Sequence, residues 1–296
     1  MNIPIFPNFE RINLEFKNVY LKYLNKLEII PCNSLFFTLI IYDNDDEVIK
    51  ICLLNDNLII LVYNKNSPHY FGPIIGNNKI EKTVLQCLEY FKRKINFKYF
   101  PNKILNLKYL HNSISVQPDR DNYDYVYKLS ELINFKKKHR QNLNNFLKNY
   151  NYNYKTIGSN DISNINKIII FFENWYENSS NKDETARLEY YAFHKMLNYI
   201  NQLDIIIGAI FINDKIIGFC MATIFNEISY SHIEKANRMY KGSYQILIKE
   251  FSLYLSKQYN IKIINREDDL GLDGLRKNKL SYNPTYFIEK ANILLK

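Results

Sequence analysis

The spacing of hydrophobic and polar positions changes several times along the first part of the chain. Residues 12–27 and 80–94 carry apolar side chains at helical spacing. Residues 34–42, 47–54 and 58–63 are short, β-branched apolar runs separated by Asp/Asn clusters, which is typical of strands joined by tight turns. The pattern therefore predicts a helix, a group of strands and a second helix.

The middle of the chain is dominated by helical spacing. Residues 128–150 place Leu132, Leu143 and Phe146 on one side of a predicted helix and leave basic residues on the other side. A pair of helices is predicted over 161–201. Residues 116–129, before these helices, read as a turn that leads into a strand.

From residue 205 onward the order of predicted elements is more specific. Two apolar runs flank Asn213-Asp214 as a hairpin, and a third strand is predicted at 229–236. Residues 244–258 repeat apolar side chains at the 3.6-residue period of a helix. A buried strand at 261–267, a short helix and a final strand at 285–295 complete the pattern.

This order, three antiparallel strands followed by helix, strand, helix and strand, is the one expected of the GNAT acyltransferase fold. A similar hairpin with an Asn-Asp turn occurs at 51–63. We therefore predict an α/β protein with mixed sheets, built from two tandem GNAT-like domains at 1–118 and 119–296, with the chemistry in the second.

Composition narrows the class of protein. Of the 296 residues, 47% are hydrophobic and 23% charged, which is typical of a globular chain and not of a disordered one. No apolar run approaches the roughly 20 residues that span a bilayer, and no secretory signal is visible, so a cytoplasmic location is expected. The four cysteines are scattered singly, which favours reduced core residues over a metal or disulfide site.

The net charge of +9 suits a polyanionic partner such as tRNA or an anionic lipid surface. A background rich in Lys and Asn also explains it. The densest basic run consists of Lys136, Lys137, Lys138 and Arg140. It is a candidate for contact with a nucleic-acid backbone, and a solvated helix face is the alternative.

Four stretches, 119–127, 136–150, 232–251 and 264–284, resemble the DUF2156 family, which is related to the C-terminal domain of phosphatidylglycerol lysyltransferase. The resemblance implies a tandem GNAT-like architecture. It also implies kinship with the Fem transferases, which move an aminoacyl group from charged tRNA to an amine or hydroxyl.

Two strands carry polar side chains at alternate positions, His232 and Glu234 on one, Asn265 and Glu267 on the next. Alternate residues of a strand share a face, so each pair is expected to point to one side. Glu267, Glu234 or His232 is a candidate general base for deprotonating an acceptor, and Asn265 is a candidate for orienting substrate. A network of salt bridges between the two strands is the alternative.

A dense group of charges follows the second of these strands. Asp268 and Asp269 are candidates for attracting an amine acceptor, and Arg276 and Lys279, three apart on a helix, for holding phosphate or carboxylate. A solvated helix with internal ion pairs is the alternative.

The loop before helix 244–258 bears on the choice of donor. In acetyl-CoA enzymes this loop is rich in glycine, so that backbone N–H groups cradle pyrophosphate. Here Lys241, Gly242, Ser243 and Tyr244 supply one glycine, which disfavours CoA and is closer to the loop of the Fem transferases. The loop is then a candidate site for a tRNA-end phosphate or the ester, and a glycine that simply permits the turn is the alternative.

These observations favour an aminoacyl-tRNA-dependent transferase that acts on a small-molecule, peptide or lipid-headgroup acceptor. An acyl-CoA-dependent N-acyltransferase and an inactive, GNAT-shaped binding protein are the alternatives.

Overall fold

The helices and strands alternate along the chain. The computed structural model describes residues 3–65, 67–91, 95–101, 114–179 and 182–296. The strands are β1 (Glu10–Arg11), β2 (Glu47–Leu54), β3 (Asn57–Asn64), β4 (Tyr70–Phe71), β5 (Asn96–Pro101), β6 (Ile114–Pro118), β7 (Asp124–Lys128), β8 (Asn153–Ile157), β9 (Ile206–Ile212), β10 (Lys215–Phe225), β11 (Ile228–Ala236), β12 (Ile263–Asn265), β13 (Tyr286–Ile288) and β14 (Lys290–Leu295). The α-helices are α1 (Lys17–Leu24), α2 (Phe36–Tyr42), α3 (Ile80–Tyr90), α4 (Leu129–Ile133), α5 (Lys137–Asn149), α6 (Ile162–Glu177), α7 (Glu184–Asn198), α8 (Ser243–Tyr259) and α9 (Asp273–Ser281).

The chain divides into two compact units. The first contains residues 1–124, 268–276 and 287–296, and the second contains residues 125–267 and 277–286. The linear division expected at 118–119 differs from this one, because segments late in the chain belong to the first unit. Strand β14 is one of them, and its backbone hydrogen bonds to β5 and β6 complete the first sheet.

The first unit is built on a seven-stranded sheet with the order β1-β2-β3-β4-β5-β14-β6. Strands β2 and β3 form a hairpin whose turn residues, Asn55 and Asp56, both have positive φ angles, as a two-residue turn requires. Helix α3 packs Val84, Cys87 and Leu88 into the core of this unit. It ends at Tyr90, and residues 92–94 of the predicted helix lie outside the described residues.

The strand predicted at 34–42 is wrong. Residues 36–42 form helix α2, preceded by a short 3₁₀ turn. Phe36, Phe37, Leu39, Ile40 and Ile41 are all buried, and only the side that carries Thr38 and Tyr42 is partly exposed. A short run with one clearly polar residue does not set a period, and it fits a mostly buried helix as well as a buried strand.

The second unit contains the predicted order of strands. Its sheet has the order β13-β7-β12-β11-β10-β9-β8, with β9, β10 and β11 antiparallel and β12 parallel to β11. The turns that join β9 to β10 and β10 to β11 place positive φ angles at Asn213, Asp214, Asn226 and Glu227. These two-residue turns fix the register of the three strands.

Helices cover this sheet on both faces. Phe219 of β10 contacts Phe172 of α6 and Phe193 of α7, whereas the adjacent Cys220 lines a cavity together with side chains of α8. Adjacent residues of a strand point to opposite faces, so α6 and α7 lie on one face and α8 on the other.

Two further predicted elements are interrupted. The helix predicted over 128–150 is split into α4 and α5, and the final strand predicted over 285–295 is split into β13 and β14, which belong to different sheets. No helix among the described residues is both long and apolar enough to cross a membrane.

Strands β11 and β12 separate partway along their length. They pair from Ile228 to Tyr230 on β11, and β12 ends at Asn265. The chain then follows β7 instead: Arg266 N–H donates to the Tyr125 carbonyl at 2.9 Å, and Tyr125 N–H donates to the Glu267 carbonyl at 3.0 Å. A gap therefore opens between β11 and residues 266–267.

Candidate active site

A β-bulge in β11 decides which way the candidate side chains of this strand point. Met221 is opposite Ile233 and Ala222 is opposite Ser231, so His232 is an extra residue in the strand. Beyond the bulge, Ser231 Oγ donates to Glu234 Oε1 at 2.8 Å, which places both on one face. His232 contacts Thr223 of β10 instead.

The bulge places His232 and Glu234 on opposite faces of the sheet. Glu234 is opposite Cys220, on the α8 face, whereas Thr223 is three residues further along β10 and points the other way. The expectation that His232 and Glu234 share a face is therefore wrong, because a bulge reverses the alternation.

On the α8 face, Glu234 and Arg266 bridge the gap. Arg266 Nε donates to Glu234 Oε1 at 2.9 Å, and Arg266 Nη2 donates to Glu234 Oε2 at 2.5 Å. The guanidinium and the carboxylate thus form a bidentate, two-point contact. Burial by itself raises the pKa of Glu234, but the Arg266 guanidinium more than offsets this and holds the pKa below its usual range. This part of the predicted salt-bridge network is present.

On the other face, three side chains form a continuous chain of hydrogen bonds. Glu267 Oε1 lies 2.6 Å from His232 Nδ1, and His232 Nε2 lies 2.9 Å from Thr223 Oγ1. A carboxylate can only accept, so the Nδ1 atom carries a hydrogen that it donates to Glu267. In the neutral ring Nε2 then accepts from the Thr223 hydroxyl.

Glu267 is the accessible end of this chain. Its side chain is 22% exposed, against 2% for His232. Its backbone has a φ of 57°, in the left-handed region that non-glycine residues seldom adopt. The conformation is held by the Asn265 side chain, whose Oδ1 accepts from the Glu267 N–H at 2.8 Å. Such strained residues cluster at functional sites.

Lys279 of the second unit is not available to a substrate phosphate. It is buried, and its ammonium donates to the Arg266 carbonyl at 2.5 Å. This contact fixes the backbone next to Glu267. Its predicted partner on α9, Arg276, belongs to the first unit.

In the first unit, Arg276 is held by carboxylates. It donates to both oxygens of Asp269, at 2.8 and 2.9 Å, and to Asp121 at 2.6 Å. Asp269 is fully buried and also accepts from Arg120 and the Gly271 N–H. These side chains therefore organise the 268–276 segment through ion pairs, but Asp269 is buried and not on a solvated helix as the predicted alternative had it.

Asp268 belongs to a buried cluster around Lys290, also in the first unit. Oxygen and sulfur atoms of Cys32, Asp124 and Asp268 lie within 4.8 Å of one another, close enough to be considered as metal ligands. The Lys290 ammonium, however, is paired with Asp124, lies 3.7 Å from Asp268 and 3.5 Å from the Cys32 sulfur. The cation that this donor set stabilises is therefore the lysine.

Steric crowding explains the glycine in the loop before α8. Gly242 has a φ of 95°, and a Cβ atom there would lie 2.2 Å from the Asn142 carbonyl oxygen of α5. Ser243 Oγ donates to the Asn237 carbonyl at 2.8 Å. Tyr244 is half-buried, and burial raises its pKa, whereas Lys241 is exposed. Of the four predicted residues, Lys241 is the most open to a ligand.

The predicted basic run lies at the start of α5. Lys136, Lys137, Lys138 and Arg140 are exposed and form no ion pair with any described residue. The first turn of this helix contains no acidic residue, so the lysines add to the positive end of the helix dipole. His139 points inward instead and stacks on Tyr282, with 3.9 Å between ring centroids.

Sequence reasoning missed Thr223, Ser231 and Arg266. The hairpin turn at 226–227 sets Thr223 opposite Tyr230, and this register is a signal by which a residue near His232 could have been found. The bulge that brings His232 to Thr223, and Ser231 to Glu234, has no comparable signal.

A curated relative, the uncharacterised protein MYCGA3080 of Mycoplasmoides gallisepticum, is 29% identical over 153 residues, which is 52% of this chain and 48% of that protein. The match thus spans about half the length of the relative. A conserved protein of unknown function from Bacteroides thetaiotaomicron has a solved structure with a TM-score of 0.86 and 24% identity, covering 99% of this chain and 100% of that one.

Two other solved structures bear on the fold. L-PGS from Bacillus licheniformis has a TM-score of 0.65 at 12% identity and covers 96% of this chain and 92% of its own. A tandem GNAT protein from the clavulanic acid biosynthesis pathway has a TM-score of 0.52 at 8% identity, and the match covers 97% of this chain and 98% of that one. The predicted α/β, tandem GNAT-like fold is confirmed.

The model of the family described as phosphatidylglycerol lysyltransferase, C-terminal, matches residues 36–291, which is most of the chain. The resemblance noted from the sequence motifs is therefore confirmed, and the chain belongs to this family.

Proposed function

We propose that this chain transfers an aminoacyl group from a charged tRNA to the amine or hydroxyl of a small molecule, a peptide or a lipid headgroup. The observation that carries the proposal is the Glu267–His232 pair, at the point where β11 and β12 separate. Membership of the phosphatidylglycerol lysyltransferase C-terminal family supports an aminoacyl transfer reaction.

Glu267 acts as the general base. Its accessible carboxylate takes a proton from the acceptor amine or hydroxyl, whose lone pair then attacks the ester carbonyl of the aminoacyl-tRNA. As the tetrahedral intermediate collapses, the new C–N or C–O bond is kept and the ester C–O bond breaks. Glu267 returns its proton to the departing ribose hydroxyl.

His232 and Thr223 position this carboxylate. Donation from His232 Nδ1 fixes Glu267 Oε1, so that Oε2 is left to face the acceptor. The Thr223 hydroxyl can donate to Nε2 of a neutral ring or accept from Nε2 of a charged one, so the ring keeps its place in either state.

The basic run at the start of α5 suits the tRNA. Four exposed cations without ion-pair partners among the described residues are able to contact phosphates without first breaking a salt bridge. Lys241, exposed in the loop before α8, adds a further cation to this unit.

Two features favour tRNA over acyl-CoA as the donor. The loop before α8 has a single glycine, and a Cβ atom there would meet the Asn142 carbonyl of α5, so this glycine is needed for packing and the loop lacks the further glycines that let a pyrophosphate approach the backbone. The second feature is the gap between β11 and residues 266–267. Side-chain pairs bridge it on both faces, so it is not an open slot between the strands for the acyl arm of CoA.

Incubation of the purified protein with tRNAs charged with radiolabelled amino acids tests the donor. We expect accelerated deacylation or transfer with at least one charged tRNA, measured as acid-precipitable label with time. The absence of both with every charged tRNA would contradict the proposal. Stabilisation by acetyl-CoA or longer acyl-CoA instead would favour the CoA-dependent reading, and tRNA binding without transfer a GNAT-shaped binding protein.

The salt dependence of tRNA binding tests the basic run. Replacing Lys136, Lys137, Lys138 and Arg140 together by alanine should reduce the slope of log affinity against log salt by about 3, since each contact with a flexible nucleic-acid strand contributes about 0.7. The matched control replaces four other exposed lysines, Lys148, Lys215, Lys257 and Lys262. Equal slopes for the two variants would assign binding to net charge alone.

A further inference from the structure

A small cavity lies inside the second unit, between the sheet and helix α8. Its volume is about 10 Å³, and its polar lining comes from Arg266, Glu234, Ser252 and Cys220. The rest of its wall is apolar and belongs to α4, α8 and β12. A cavity of this size accommodates about one water molecule.

Two buried polar atoms of this lining have no hydrogen-bond partner among the described residues. They are Ser252 Oγ and Arg266 Nη1. Ser252 is 1% exposed and the Arg266 side chain is 6% exposed, so bulk water reaches neither atom. A buried donor without a partner loses its hydration and regains nothing, and the penalty is larger for a charged group.

The hydrogen bonds that Arg266 already makes do not supply a partner for Nη1. Nε and Nη2 are both directed at Glu234, and the hydrogens on Nη1 point elsewhere because the guanidinium is planar. The serine also makes no bond to the carbonyl one turn earlier in its helix, the usual resort of a hydroxyl within a helix. Both residues line one cavity of the right size.

We infer that this cavity is a binding site for a single ordered water molecule, which accepts a hydrogen bond from Arg266 Nη1 and exchanges one with Ser252 Oγ. The water extends the chain of contacts Ser231–Glu234–Arg266 into helix α8. It thereby ties the α8 face of the gap to the helix that covers it.

Water fits this cavity better than an ion does. An anion would find the Arg266 charge already neutralised by Glu234, whose carboxylate lines the same cavity and would repel it. A cation would be repelled by the positive charge of Arg266. A neutral molecule that both donates and accepts meets the needs of a guanidinium N–H and a hydroxyl at once.

Replacement of Ser252 by alanine tests the inference by the sign of its effect. With the water bound, the variant loses one hydrogen bond, and the unfolding equilibrium constant should rise about three- to tenfold. In a dry cavity the same change removes an unsatisfied hydroxyl, and the constant should fall or stay the same.

Ser229 provides the matched control. It is a fully buried serine of β11 in the same unit, its hydroxyl also has no partner among the described residues, and it does not line the cavity. Ser229→Ala should leave the protein as stable or make it more stable, while Ser252→Ala destabilises it. Equal effects of the two replacements would overturn the inference.

A crystal structure at a resolution that shows ordered water supplies the second measurement. We expect one peak within hydrogen-bond distance of both Arg266 Nη1 and Ser252 Oγ, weakened or lost in Ser252→Ala. An empty cavity, a density that fits an ion, or a direct Arg266–Ser252 contact would overturn the inference. None of these results depends on transferase activity.

Discussion

Two pairs of side chains bridge the gap between β11 and residues 266–267. They differ in burial, in the number of contacts and in strain, and these differences distinguish a structural pair from a candidate catalytic pair. Glu234 and Arg266 are buried, joined at two points and linked to Ser231. Glu267 and His232 are joined at one point, Glu267 is partly exposed, and its backbone is strained. The first pair closes the α8 face of the gap, whereas the second leaves a carboxylate oxygen free on the other face.

The comparison shows why charge alone is a poor guide to a catalytic group. His232, Glu234 and Glu267 were all candidates from the sequence, yet the two-point contact with Arg266 occupies both oxygens of Glu234. A carboxylate that must accept a proton from substrate needs an unoccupied oxygen and access. Glu267 meets both conditions.

The largest expected effect is on catalysis by Glu267. Glu267→Gln keeps the shape of the side chain and removes its basicity, so the transfer rate should fall about 10²- to 10⁴-fold, the usual contribution of a general base. The rate of transfer from charged tRNA measures this. Glu177→Gln, at an exposed position of α6, is the control and should keep the wild-type rate. Full activity of Glu267→Gln would contradict the role of Glu267 as general base, and with it the distinction between a structural and a catalytic pair.

The next effect is on stability through Glu234. Glu234→Leu leaves the Arg266 guanidinium buried without its partner and should lower the free energy of unfolding by about 3–5 kcal/mol. The double replacement Glu234→Leu/Arg266→Met removes both charges and should be more stable than Glu234→Leu. Denaturant unfolding monitored at Trp175 fluorescence or by circular dichroism provides the measurement. A double variant no more stable than the single one would argue against a mainly structural pair.

A smaller effect is expected at Thr223, which touches His232 and not the proposed acceptor oxygen. Thr223→Val is nearly isosteric and removes the hydroxyl, so the rate should fall about tenfold, equivalent to the roughly 1.4 kcal/mol of one lost hydrogen bond. Thr223→Ser keeps the hydroxyl and should restore most of the rate. The His232 tautomer, read from ¹⁵N chemical shifts of the ring, should stay Nδ1–H in the serine variant. Equal rates for the two variants would remove Thr223 from the positioning chain.

The smallest effect is a dependence of stability on pH. Because the pKa of Glu234 is lowered in the folded state, its contribution is complete above the unfolded value of about 4.3 and is lost as the pH falls through the lower folded value. The Glu234→Leu/Arg266→Met variant lacks this contribution. Its melting temperature should therefore fall less than that of the wild type on acidification below about pH 4. Parallel curves would indicate that other carboxylates dominate.

Much of the second unit could be predicted from the sequence. The Asn213-Asp214 turn, the 3.6-residue pattern of α8 and the order of strands around them are local signals, and each was realised. Three of the candidate residues, His232, Glu234 and Glu267, line one gap, together with Arg266, which was not a candidate. Their pairing was not predictable, because it depends on the bulge at His232.

The first unit was less predictable, for a related reason. The run at 36–42 contains one clearly polar residue, Thr38, which is too little to set a period, so only the packing of the folded protein decides between strand and helix. Likewise, Asp269 and Arg276 look like free charges in the sequence, and it is the donation from Arg276 to both Asp269 and Asp121 that makes them structural.

The sequence by itself determined the family, the alternation of helices and strands, and the hairpins, because these follow from periodicity and turn chemistry within a few residues. The tertiary structure alone decided that β14 joins the first sheet, that a bulge sends His232 and Glu234 to opposite faces, and that Glu267 is the carboxylate left accessible. These outcomes rest on hydrogen bonds between residues far apart in the chain, where local spacing carries no information about which partner a buried charge finds.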